Sequence, residues 1–369
     1  MKIAMITHTY LPKIGGREIH VSKLSEALVK RGHEIVIITS DEGYCPRQPK
    51  IQVIRLNEIK LLMSVHPETN YYRVLPNLYR AVIKSGCDIL HMHDLMHFTT
   101  DSMSYFGNLL GMPSVLTIHG FKPETSILNF FVKLYNNTLA SFNFRFVDRI
   151  ILPSRALCDV IPALQKFVGK LRVVPNGLEI KTEKAKDFEY PTNLLAVGRL
   201  VPRKGFQYLI KAMPDILSHF PETTLNIVGP DGGFRTNLIK IVNDLGLNSQ
   251  VRLLGKVSED KLEKLYRSSS ICINPSIWDN APLTILEALS WGTPVIASKI
   301  GGIPEIIESG YNGVLVQAED PSSISKGVFS IIHDNVKYRK IAGNALESAK
   351  SLTWERIAKK TEDIYEEII

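Results

Sequence analysis

Residues Asn274–Gly292, N-P-S-I-W-D-N-A-P-L-T-I-L-E-A-L-S-W-G, place two carboxylates, Asp279 and Glu287, eight residues apart around what reads as a helix start. The apolar run Ser270–Asn274 reads as a buried strand. Asp279 or Asn280 can cap the helix that follows, Pro282 suits its first turn, and Gly292 and Pro294 end it. The stretch is therefore a strand-loop-helix corner, the unit from which α/β folds are built. Backbone N–H groups and the positive end of the helix dipole favour an anion such as a diphosphate at such a corner. Glu287, one to two turns in, can accept hydrogen bonds from a sugar or ribose. Taken alone, the pair reads more readily as an N-cap and a solvated acid, so the rest of the chain has to decide.

Outward from the corner, the second half alternates strand-like and helix-like segments. Strands are expected at 194–197, 225–228, 251–254, 295–297 and 314–316, and helices at 206–219, 234–245 and 260–268. The first half does the same, with strands at 2–7, 34–39, 51–56, 88–92, 114–118, 149–152 and 171–174. Its expected helices are 18–31, 72–84, 98–110 and 127–146. Buried β-branched strands alternating with helices imply parallel sheets covered on both faces. Between the halves, Pro175–Pro191 is polar, Pro-bounded and without apolar periodicity, so it reads as a linker. The expected organisation is one Rossmann-like domain over 1–174, the linker over 175–191 and a second such domain over 192–351. The tail from Pro321 is helical throughout, and its last segment, 352–369, is expected to pack back on the first domain. Two such domains are expected to leave a cleft, with ligands outside the carboxyl ends of the strands.

The length, 369 residues, fits two domains. No apolar run is long enough to span a membrane, and Met1 leads directly into a strand-like segment, so a cytoplasmic protein is expected. Cys45, Cys87, Cys158 and Cys272 form no C-x-x-C pair, which argues against a zinc ribbon or a disulfide framework. The net charge of +7 lies wholly in residues 1–180, with 21 basic against 14 acidic side chains. The remainder balances at 23 each. Such asymmetry suits an anionic membrane surface, an acidic substrate or nucleic acid. No nucleic-acid recognition motif accompanies it.

Several residues carry candidate chemistry. Gly15 and Gly16 lie between the first strand and helix, where backbone can approach a ligand, but the spacing is not G-x-G-x-x-G, which disfavours a dinucleotide-dependent dehydrogenase. In V-G-R-L-V-P-R-K-G, Arg199 and Lys204 follow a strand and precede a helix, so they can meet a diphosphate or remain surface charges. His119, at the end of a strand in T-I-H-G, can bind a sugar hydroxyl, move a proton or serve the core. His91 and His93 share one face of a strand end. Without a third ligand, packing or acceptor contacts are expected there and metal binding is not.

Together these segments resemble glycosyltransferase family 4. The likeness is carried by Pro12-x-x-Gly15-Gly16, R-G-H before the second strand, T-I-H-G at 117–120 and V-P-N-G at 174–177. V-G-R-L-x-x-x-K-G at 197–205, the acid-x7-acid corner and G-G-I-P-E at 301–305 complete it. The resemblance spans essentially the whole chain. It implies the GT-B fold, two Rossmann-like parallel-sheet domains facing across a cleft, with the C-terminal helix crossing back to the first. It also implies a retaining, nucleotide-sugar-dependent enzyme that moves a hexose or N-acetylhexosamine from a UDP- or GDP-linked donor.

By the same resemblance Glu287 holds the ribose, Arg199 and Lys204 the diphosphate, and the amides of Gly16, Leu283 and Thr284 the phosphates and donor sugar. Lys256 and Val257, in the segment Gly255–Val257, lie nearest the base, and His119 touches the donor sugar near the reacting centre. Asp279 stands where the family usually has Glu, and Pro282 removes one N–H donor from the loop. Catalytic roles are thus expected for His119, Arg199, Lys204 and Asp279, and donor contacts for Gly15 and Gly16 as well as the residues just named. No metal or other cofactor is expected. The acceptor is expected on the first domain and to be lipid-linked, a glycan or a small polyol. The segment Phe121–Arg149, rich in Phe, Lys and Arg, either meets a membrane at its cytoplasmic face or supplies core. A non-catalytic sugar-nucleotide-binding subunit of the same fold is the competing reading.

Overall fold

The computed structural model describes residues 1–13, 15–40, 43, 49–61, 72–120, 134–135, 138–182, 184, 186–187 and 192–369. The expected helix over 127–146, the aromatic segment 121–149 and the linker over 175–191 therefore lie partly outside the described residues. The chain divides into two compact units, Met1–Gly177 with Trp354–Ile369, and Leu178–Thr353. The change of unit falls within the stretch read as a linker, near its start: Asn176 is buried in the first unit and Leu178 in the second.

The first unit contains β1 (Lys2–Ile6), β2 (Glu34–Ser40), β3 (Ile51–Leu56), β4 (Ile59–Leu61), β5 (Tyr72–Val74), β6 (Ile89–His93), β7 (Ser114–Thr117), β8 (Arg149–Leu152) and β9 (Leu171–Val173). Seven of these form one sheet in the order β3-β2-β1-β6-β7-β8-β9, and every pairing in it is parallel. Its strands read as nearly continuous apolar runs because both faces are covered. Along β1, Ala4 and Ile6 enter one core cluster while Ile3 and Met5 enter the other.

The second unit contains β10 (Asn193–Val197), β11 (Thr224–Val228), β12 (Val251–Gly255), β13 (Ile271–Asn274), β14 (Val295–Ser298) and β15 (Gly313–Val316), ordered β12-β11-β10-β13-β14-β15 and again all parallel. Leu194 and Ala196 face one cluster, Leu195 and Val197 the other. In each sheet the strand order reverses beside the first strand, between β1 and β6 and between β10 and β13. Such a switch point splays the loops at the carboxyl ends and opens a crevice there.

The helix expected over 72–84 is corrected. Tyr72–Val74 is the strand β5, paired antiparallel with β4, and the helix is Leu78–Ser85. Pro76 accounts for the difference, since it disfavours helical geometry at the residue before it and so favours an extended entry to the helix.

The last helix, Trp354–Glu366, does pack on the first unit. Its face of Trp354, Ile357, Ala358, Ile364 and Tyr365 joins Val21, Leu24 and Leu28 of the helix Gly16–Lys30 in one cluster. Polar contacts fix its rotation. Tyr365 Oη lies 2.6 Å from His91 Nδ1, and Arg31 Nε donates to Glu362 Oε2 at 2.9 Å. Arg149 Nε and Arg172 Nη2 donate to Glu367 Oε2 at 2.8 and 2.6 Å.

Those two arginines, Arg172 first, hold the Glu367 carboxyl down to about 2 from its ordinary 4.5. A lowered carboxylate stabilises the fold fully above about pH 4.5 and loses that contribution as pH falls towards about 2. Glu367→Gln is expected to melt below wild type at neutral pH, with the gap closing across that window in a thermal melt series. Ile357→Ala, which leaves a cavity under the same helix, should cost about 2–5 kcal/mol in urea unfolding at every pH tested.

Candidate active site

In the second unit the loops after β10, β13 and β14 are drawn together by close backbone approaches that only glycine permits. A Cβ on Gly205, at φ +69°, would sit 1.8 Å from the Pro275 carbonyl oxygen. One on Gly301, at φ +50°, would sit 1.9 Å from that of Asp279. Ile277 N donates to Arg203 O at 2.8 Å, and Gly302 N to Asp279 O at 3.3 Å. The consequence is a short ion pair, Lys204 Nζ to Asp279 Oδ2 at 2.5 Å, with both side chains largely buried. The expected helix cap is corrected here. Asp279 and Asn280 do not cap the helix; it runs Leu283–Ser290 with Pro282 at the capping position in extended geometry, φ −68° and ψ 119°, and no side-chain cap. Asp279 is instead committed to Lys204.

One turn into that helix, Glu287 is half-buried and its Oε2 accepts from Tyr266 Oη at 2.7 Å. Tyr266, on the helix Glu259–Ser268, is buried. Burial raises the Glu287 carboxyl, against the hydrogen bond from Tyr266 and the charge of Lys181. The neighbouring Cys272 thiol is pushed up to about 12, by burial and then by Glu287, so it stays protonated. Thr284 Oγ1 accepts from Asn274 Nδ2 at 3.4 Å.

The segment expected near a base closes β12 at Gly255, φ +66°, and continues into exposed Lys256 and half-buried Val257. Val257 and Leu283 pack on the same apolar cluster, so this segment and the helix start rest on a shared floor. Arg199 is exposed at the end of β10, its stem over Gly232. Within the second unit, then, Lys204 meets Asp279, and Glu287, Thr284 and Leu283 follow on one helix. Arg199 and Lys256 follow β10 and β12, two strands of the same sheet with β11 between them.

Gly15, Gly16 and His119 belong to the first unit, again at strand ends. Gly15 precedes the helix Gly16–Lys30 and leaves room for Glu18, since a Cβ there would meet Glu18 Oε2 at 2.4 Å. Glu18 accepts from the Thr9 hydroxyl and, at 3.0 Å, from Arg17 Nη2. Arg17 also donates to Thr9 Oγ1 at 2.7 Å and, through Nη1, to Asp94 Oδ2 at 2.9 Å. Burial works against its charge, but Asp94 and Glu18 outweigh it and raise the guanidinium above its ordinary value. Asp94 Oδ1 accepts the His119 amide at 2.9 Å. His119 Nε2 lies 3.2 Å from His93 Nδ1, and its ring meets that of His20 edge-on at 4.7 Å.

Burial, then repulsion by Arg17, lowers His119 to about 3. His20 falls to about 3 by burial and by His119, and His91 to about 3 by burial and by His20. These imidazoles are neutral at physiological pH, so they act as hydrogen-bond partners. His91 Nε2 lies 2.7 Å from Thr117 Oγ1, a packing contact of the kind expected for it.

Sequence reasoning missed Tyr266, Arg17, Glu18 and Asp94. Arg17 and Glu18 directly follow the Gly15-Gly16 turn, and that adjacency was the available signal. Nothing local marks Tyr266, which meets Glu287 only through the pairing of two helices.

Two family models tile the chain. One, described as Glycosyltransferase Family 4, matches residues 14–182, and the other, Glycosyl transferases group 1, matches residues 179–348. An uncharacterized glycosyltransferase of Methanocaldococcus jannaschii is 29% identical over 99% of this chain and 98% of that protein. One subunit of the human phosphatidylinositol N-acetylglucosaminyltransferase is 24% identical over 99% of this chain and 76% of its own length. Among solved structures, Anabaena HepE in complex with UDP superposes with a TM-score of 0.79 at 20% identity, covering 100% of both chains. Sucrose-phosphate synthase of Thermosynechococcus elongatus gives 0.75 at 22% identity, over 99% of this chain and 98% of that one. With two parallel-sheet α/β units of the GT-B fold and both family models in order along it, this chain belongs to the family 4 type of glycosyltransferases.

Proposed function

We propose that the chain moves a hexose or N-acetylhexosamine from a UDP- or GDP-linked donor to a hydroxyl of a lipid-borne polyol, with retention of anomeric configuration and without a metal ion. The observation that carries this reading is the corner of the second unit, where Lys204 and Asp279 are paired just ahead of the helix bearing Glu287. An ammonium has three N–H donors. Asp279 engages one and orients the group, and the others are for the diphosphate, together with Arg199 and the amides of Leu283 and Thr284. The catalytic demand is to stabilise negative charge growing on the leaving diphosphate, which preorganised cations and a helix start meet electrostatically. Tyr266 holds Glu287 by Oε2, so Oε1 is the oxygen for a ribose hydroxyl. Lys256 and Val257 flank the base.

Retention follows if the acceptor attacks from the leaving-group side and the diphosphate takes its proton, which requires no side-chain base. The depressed basicity of His119 supports that assignment, in which it contacts the donor sugar as a neutral hydrogen-bond partner. UDP in the HepE crystals supports a uridine donor. The names of the phosphatidylinositol N-acetylglucosaminyltransferases, human and from Schizosaccharomyces pombe (26% identical), support a lipid polyol as acceptor. Such an acceptor would bring the chain to a membrane face as a peripheral protein. Among the described residues no helix is long and apolar enough to cross a membrane.

A thermal-shift comparison of UDP and GDP should give a rise with one of them, worth ~2.7 kcal/mol at a hundredfold excess over Kd. The rise should be strongly reduced in Lys204→Ala and Glu287→Ala and unchanged by EDTA. Shifts as large as wild type's in both variants would remove this site, and binding without donor turnover would leave a sugar-nucleotide-binding subunit. In active enzyme kcat/KM should show no acid limb near pH 6.5 assignable to His119, because its imidazole protonates only near 3. A limb at 6.5 that His119→Asn abolishes would contradict the neutral role.

A further inference from the structure

Three outer helices of the first unit, Leu78–Ser85, Phe98–Leu109 and Leu139–Phe146, carry a continuous aromatic surface that the nucleotide chemistry does not use. Tyr79 meets Phe106 with ring centroids 5.3 Å apart. Tyr105 then links Phe106 at 5.8 Å to Phe142 at 5.9 Å and Phe146 at 5.5 Å. Four of these rings are 38–44% exposed, and Leu109, a turn beyond Tyr105, is 62% exposed. The helix Leu139–Phe146 divides cleanly, with Phe144 buried in the core and Phe142 outward. Contiguous exposed rings of this kind mark an interaction surface.

The charge on the same helices selects the partner. Arg80, Lys84 and Arg145 are exposed. Asp101 is the only acid on the three helices, and it is turned inward to accept from Tyr135 Oη at 2.5 Å and Asn143 Nδ2 at 2.7 Å. Arg80 and Lys84 also line, with Lys2, a hollow of about 420 Å³ against β3. A second copy docked by two-fold symmetry would set these cations against themselves. Anionic headgroups complement them, while aromatic rings settle at the boundary of headgroup and acyl chain and long basic side chains reach the phosphates.

We propose that this three-helix face docks the protein on an anionic lipid surface. The choice of partner rests on the lipid-acceptor reading given above. It places the contact on the helices 78–85, 98–109 and 139–146, where the sequence pointed only to 121–149.

The test is sedimentation with vesicles of phosphatidylcholine alone and of phosphatidylcholine with phosphatidylglycerol. Wild type is compared with Phe106→Asp/Phe142→Asp and with Arg80→Glu/Lys84→Glu. Wild type should sediment with the anionic vesicles, and each double variant should lose about tenfold or more in partitioning, with circular dichroism melting and the nucleotide thermal shift unchanged. Absence of wild-type binding to anionic vesicles, or binding by either variant that matches wild type, overturns the proposal. A dimer in sedimentation velocity that Phe106→Asp/Phe142→Asp dissociates also overturns it, in favour of a second copy. Because the vesicles hold no inositol lipid, failure of docking is separate from failure of the acceptor reading, which is read from transfer to a short-chain, water-soluble inositol phospholipid.

Discussion

Two backbone-to-backbone approaches, Gly205 on Pro275 and Gly301 on Asp279, hold three strand-end loops of the second unit closer than any side chain would allow. A parallel sheet sets the strands, but it does not by itself say how near their following loops lie. Here the glycines do, and the result is that Lys204 reaches Asp279 across loops from two different strands. The pair is largely buried, where a charge without a partner would be costly. Asp279 therefore serves as the standing counter-ion of a cation that a diphosphate can share, and the ammonium stays oriented before any ligand arrives. Preorganisation of this sort is what electrostatic stabilisation of a leaving group needs.

The first unit solves a different problem. Its strand ends gather His20, His93 and His119 around Arg17, Glu18 and Asp94. Burial and mutual repulsion keep the imidazoles neutral, so the positive charge at this point resides on Arg17 and is balanced by two carboxylates. The cluster therefore presents hydrogen-bonding groups of fixed orientation. The excess positive charge of the first half is carried elsewhere, in part by Arg80, Lys84 and Arg145 on the outer helices.

The sheets were legible because parallel strands buried on both faces read as unbroken apolar runs, as in Ile3–Ile6 and Ile271–Ile273. So was the last helix, whose apolar residues recur at helical spacing, while its return to the first unit was implied by the family resemblance and its place in the chain. What failed was local. Pro76 favoured an extended approach to a helix read as starting at Tyr72, and the ion pair with Lys204 outcompeted capping for Asp279. Tyr266 and Glu287 lie 21 residues apart and meet only after their two helices pack on the same sheet, so no motif announces them. The inward turn of Asp101 is likewise a tertiary fact: the sequence shows an acid on a helix but not that its charge is hidden from the surface.

The claim on which this account depends is that loop closeness, and not merely the presence of Lys204, makes the diphosphate site. Calorimetric titration of Gly205→Ala with the nucleotide that binds wild type tests it directly. The account predicts loss of binding while circular dichroism and the unfolding midpoint of the first unit are retained, because the added Cβ forces the Lys204 loop off Pro275. Wild-type affinity in that variant would contradict it.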